Sequence, residues 1–143
     1  MILDAALLLD SGAALTTTRS SWNTIDLGGV VDVGVSEEAL EILFRFTELP
    51  TADGAATLVV AVQTSPDNST WTTLVQSGAM PLTAFAERSP SGTFRMKVPA
   101  GVSRYIRLVY TIANGPLTAG RVHASLVKNR DFHNYYPKNY VAI

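Results

Sequence analysis

Several stretches of the chain alternate apolar and polar residues with a period of two. In Leu40–Thr47, Leu40, Ile42, Phe44 and Phe46 fall on one side and Glu41, Arg45 and Thr47 on the other. Thr93–Val98 sets Phe94, Met96 and Val98 against Arg95 and Lys97. Arg104–Ile112 aligns Ile106, Leu108, Tyr110 and Ile112, and Arg121–Val127 aligns Val122, Ala124 and Leu126. This is the period of a strand with one buried face. Leu58–Gln76 holds two β-rich runs, Leu58–Thr64 and Thr70–Val75, around Ser65-Pro66-Asp67-Asn68-Ser69. Pro66 presets φ for a turn, and Asp67 and Asn68 tolerate the bridge and left-handed regions. Two such runs joined by such a loop predict a β-hairpin.

The remaining stretches are less regular. Ser21–Leu27 predicts a first strand, ended by Gly28-Gly29, and Val30–Val35 a short second one. Pro50–Ala55 is a turn with Asp53-Gly54 at its tip, and Ser77–Gly92 a longer irregular connection. Met1–Thr18 has no clean period and suits either a short amphipathic helical turn or an extended arm. Asp131–Ile143 is aromatic and polar without alternation. About seven or eight short strands with almost no helical period predict an all-β fold: a single-domain β-sandwich of Greek-key or jelly-roll connectivity. The expected division is an N-terminal arm over 1–20, the sandwich over 21–128 and a C-terminal arm over 129–143. The expected core is Phe44, Phe46, Val60, Val62, Trp71, Ile106, Leu108 and Tyr110.

Composition narrows what such a sandwich does. The chain has 143 residues and no Cys. That length buries a core without staples, and the missing thiols exclude disulfides, thiolate catalysis and Cys-ligated zinc. A net charge of −1 without a basic block leaves no electrostatic footprint for nucleic acid. Glu37, Glu38 and Glu41 read as a solvated cluster. Leu7-Leu8-Leu9 lacks a basic flank and is interrupted by Asp4 and Asp10, so it makes a poor signal peptide. No run nears the ~18 apolar residues of a membrane span. A cytoplasm-like compartment is expected.

Catalytic, metal and cofactor sites are not expected. His123 and His133 have no ligand partner at zinc spacing. No G-x-S-x-G elbow or glycine-rich phosphate loop occurs. Asp26, Asp32, Asp53 and Asp67 do not form a calcium loop. Asn68-Ser69-Thr70 matches a glycosylation sequon but reads as turn chemistry. Trp71 reads as a packing residue, with a sugar-stacking platform as the alternative. Arg104 and Arg107 read as sheet-face charges or partner contacts.

Three segments carry a family resemblance: QTSPDNSTWTTL (Gln63–Leu74), VPAGVSRYIRLVYTI (Val98–Ile112) and GPLTAGRVHASLV (Gly115–Val127). Together with the early Leu3-Asp4 and IDLGG (Ile25–Gly29), they resemble the cement, or decoration, proteins of tailed-phage capsids, in the Bordetella-phage cement protein family. The resemblance implies a non-enzymatic virion protein on the outer surface of the capsid, present in the host cytoplasm during assembly. It implies the phage major capsid protein as partner, bound at junctions between its subunits, and a shell reinforced against internal DNA pressure. It also implies a homo-oligomer, a dimer favoured over a trimer; on charge and hydropathy, no nucleic-acid or membrane partner is expected. The partner interface is expected in the two arms, at Leu3, Leu7, Leu8, Phe132, Tyr135, Tyr136 and Tyr140. A second resemblance, of Ser65–Trp71 and Arg104–Leu108 to discoidin-like sandwiches, implies instead a carbohydrate-binding module.

Overall fold

The computed structural model describes residues 3–35, 40–86 and 93–128. The strands are β1 (Leu8–Ala14), β2 (Arg19–Ser20), β3 (Ile25–Asp26), β4 (Glu41–Thr51), β5 (Thr57–Ser65), β6 (Thr72–Gln76), β7 (Met80–Pro81), β8 (Phe94–Lys97), β9 (Tyr105–Ala113) and β10 (Ala119–Val127). A 3-10 turn, Ala5–Leu7, precedes β1, and one helical turn, α1 (Thr83–Ala86), follows β7. One antiparallel sheet runs β1-β10-β4-β8. The other runs β2-β9-β5-β6, with β3 also on β9 and β7 also on β5. Taking β2 with β3 and β6 with β7 as interrupted strands leaves eight, ordered 1-8-3-6 and 2-7-4-5. That is the order of a jelly roll, in which the chain passes repeatedly from one sheet to the other.

The alternating residues meet between the sheets. Phe44 stands opposite Ala124 of β10 and Phe94 of β8. Val60 and Val62 of β5 stand opposite Tyr110 and Leu108 of β9. Phe44, Phe46, Val60, Val62, Ile106, Leu108 and Tyr110 are fully buried. Phe44 and Phe46 meet edge to face at 5.2 Å, and Phe85 of α1 closes on Phe46 at 5.0 Å. Phe85 is therefore a core residue supplied by the irregular Ser77–Gly92 connection. Trp71 is not in the core. It lies half-buried just before β6, with Arg107 over its ring.

Three segments depart from the sequence pattern. The expected N-terminal arm contains β1, an edge strand of the sandwich paired with β10. A register shift between Leu8 and Asp10 accompanies it, with Leu8 opposite Ser125 and Asp10 opposite Ala124. Such a bulge re-aims side chains, and here Leu9 and Asp10 are both buried. The expected strand Ser21–Leu27 is interrupted, because residues 21–24 leave one sheet for the other. Ser21 N–H still donates to Leu108 of β9, but Asn23 N–H donates to Leu9 of β1 and Trp22 N–H to Asp10. The expected strand Val30–Val35 is a loop, because the Asp32 carboxylate takes the N–H groups of Gly34, Gly101 and Val102.

Candidate interaction surface

The two sheets are joined by a buried polar clamp. The Tyr110 hydroxyl donates to Asp10 Oδ2 at 2.6 Å, and Arg19 Nη1 donates to Asp10 Oδ1 at 3.1 Å. The Arg19 guanidinium lies 5.2 Å from the Tyr110 ring centroid. Burial, then the Asp10 charge, pushes the Tyr110 hydroxyl well above its ordinary range, so it stays a donor. The clamp thus ties β1 of one sheet to β2 and β9 of the other.

One end of the sandwich gathers the 28–35 loop, the 98–104 turn and the tip of the β5–β6 hairpin. Asp32 bridges the first two through its bonds to Gly101 at 2.8 Å and Val102 at 3.1 Å. Those N–H groups, Gly101 foremost, hold its carboxyl below the usual carboxylate range. Gly34 lies so close to the Pro99 carbonyl that a Cβ there would overlap it. The hairpin tip is tied by Asp67, which accepts from Thr70 N–H at 2.7 Å and Ser69 N–H at 2.9 Å. Asn68 takes a left-handed φ of 60° beside it. Thr64 Oγ1 then links the hairpin to the turn, donating to Tyr105 O and accepting from Ser103 N–H. On this braced end Val30, Val31 and Val35 are 83, 54 and 70% exposed, while Val33 packs against the core. Glycines and the broken alternation around these valines are the only trace the sequence carries of that patch.

Two further features flank the sandwich. Trp22 is 75% exposed beside a shallow groove lined by Ser11, Gly12, Ala13 and Asn23. On the outer face of the second sheet, Arg107, Gln63 and Thr73 form a row across β9, β5 and β6. Arg107 Nε and Nη2 both donate to Gln63 Oε1, at 3.0 and 2.8 Å, and its Cζ lies 4.0 Å from the Trp71 ring centroid. One face of Trp71 is therefore occupied by a cation, which weakens its case as a sugar platform. Arg104 is engaged differently, in a bidentate pair with Asp26 at 2.8 and 2.9 Å.

The residues expected at the interface are dispersed. Leu3 is exposed, Leu7 packs against the core, and Leu8 is half-buried in β1 opposite Ser125. Of these three leucines, Leu3 is the most exposed. Phe132, Tyr135, Tyr136 and Tyr140 lie outside the described residues. Among the described residues no group of three or more His, Asp or Glu is placed to hold a metal. His123 sits on β10 with its Nδ1 buried and without a hydrogen-bond partner among the described residues, and burial, then Arg45, depresses its pKa. The arrangement is suited to contact between surfaces.

The family model described as Bbp16 matches residues 9–126, from β1 to β10. No curated protein matches the chain.

Proposed function

Because the chain belongs to the Bbp16 family, the capsid cement proteins of Bordetella phage, we propose that it binds the outer surface of the assembled major capsid protein shell and stabilises it. The observation that carries this reading is the extent of the family match, which spans the whole sandwich and not one motif. The braced end with Val30, Val31 and Val35 is the surface assigned to the shell. Exposed apolar groups on a monomer are expected where a protein surface is to be covered.

Magnitudes bear on how the contact is built. Burying a fully exposed valine side chain gains ~1.5–3 kcal/mol, so these three, already partly covered, give about 3–6 kcal/mol. Association costs an estimated ~4–15 kcal/mol. The valines alone leave little surplus, so a tight cement needs further contacts. Leu3, the aromatic residues Phe132, Tyr135, Tyr136 and Tyr140, and pairing of two copies on the lattice belong to this proposal as those contacts.

Co-sedimentation with assembled shells tests it. The protein should pellet with shells in a saturable ratio, stay in solution with unassembled capsid protein, and raise the temperature at which shells come apart. Absence of binding to shells would contradict it.

A further inference from the structure

Three of the described arginines are partly buried: Arg19, Arg104 and Arg107. Arg19 faces Asp10 and Arg104 faces Asp26. Arg107 faces no carboxylate among the described residues. Its partners are the neutral amide of Gln63 and the ring of Trp71. A guanidinium carries its charge at every accessible pH, so this is a partly dehydrated cation without a counter-charge among the described residues.

Its geometry is fixed on two sides. Gln63 holds the edge made by Nε and Nη2, and Trp71 covers one face of the plane. Gln63 is itself pinned, because its Nε2 donates to Thr73 Oγ1 at 3.2 Å. The Nη1 group and the second hydrogen of Nη2 meet no acceptor among the described residues. Together they form the end-on fork that matches a carboxylate with two parallel hydrogen bonds. Side-chain freedom has already been lost on folding, so less is lost on binding. Trp and Arg are also the residue types most often found at the energetic centre of an interface.

We propose that Arg107, backed by Trp71 and Gln63, receives an aspartate or glutamate carboxylate from the surface of the capsid shell. This rests on the cement reading above. A protein carboxylate is preferred to a free acid or an acidic sugar because Arg107 stands on an open sheet face, in a row with exposed Thr73, whereas small ligands are held in recesses.

Assembled shells titrated with wild type, Arg107→Gln and Arg107→Lys test the assignment, with circular dichroism and melting confirming the fold. Arg107→Gln should bind about ten- to hundredfold more weakly, as for loss of a charge-assisted hydrogen-bond pair. Arg107→Lys should recover little, since an ammonium keeps neither the stack nor the fork. Equal binding by folded Arg107→Gln overturns the proposal and leaves the cement reading standing. Wild type that fails to bind shells overturns the cement reading itself. Should Arg107→Gln not fold, arginine-selective dicarbonyl labelling of wild type decides. Arg107 should react more slowly in the shell complex than in free protein, and equal rates overturn the proposal. An acidic glycan bound by free wild type and lost in Arg107→Gln overturns the choice of a protein carboxylate.

Discussion

Asp10 and Tyr110 show how one residue pair carries a disproportionate share of the fold. Both are fully buried, and they are separated by 100 residues of chain. Removing the hydroxyl leaves the Asp10 carboxylate short of a partner inside the sandwich. Hydrogen bonds to charged groups contribute about 1.5–3 kcal/mol. Tyr110→Phe should therefore lower stability by about 2 kcal/mol, read as a lower urea midpoint. A pH scan adds a second signature. The folded Tyr110 pKa lies above its unfolded value of about 10. Its contribution is fully present below that pH and declines as pH rises beyond it. Asp26 runs the other way, lowered to about 2 by Arg104 and then the Gly28 N–H. Its contribution is present above the unfolded value near 4 and is lost as pH falls towards 2. In the scan, Tyr110→Phe should flatten the alkaline limb and leave the acid limb in place. Unchanged stability in the variant would show that the clamp is not holding the sheets.

At the scale of elements, the 28–35 loop is the sharpest case. It has four valines, and its exposure of three is dictated by Asp32, whose carboxylate organises a turn 70 residues away. Gly34→Ala would push a methyl group into the Pro99 carbonyl. The loop should detach from the 98–104 turn, weakening shell binding while melting falls by only a few degrees, since the strands are untouched. Shell binding equal to wild type would remove this loop from the interface. The same loop shows why the sequence is only partly readable. Long alternating strands such as β4 and β9 are legible because their side-chain period is local. The hairpin is legible because Asp67 and Asn68 act within their own turn. Asp32 acts across the chain, so Val30–Val35 looks like a strand until Gly101 and Val102 are brought beside it. Asp10 is hidden for a like reason, since a register shift in β1 turns a polar residue inward. Phe85 lies in a stretch with too short a helix to show a period. Trp71 is misplaced because strand-flanking tryptophans often pack inward, and here the neighbouring Arg107 offers a competing partner on the surface.

For the whole molecule, the connectivity matters more than any site. In a jelly roll the chain crosses repeatedly between the two sheets, and the buried clamp ties them together. Membership of a phage structural protein family implies a role without catalysis. The most direct test is a density map of shells saturated with the protein. Density is expected on the outer surface, over junctions between capsid subunits, in paired copies, with Val30, Val31 and Val35 turned towards the shell and Arg107 within reach of a capsid carboxylate. Saturated shells without such density, or copies whose valine end points into solvent, would contradict it.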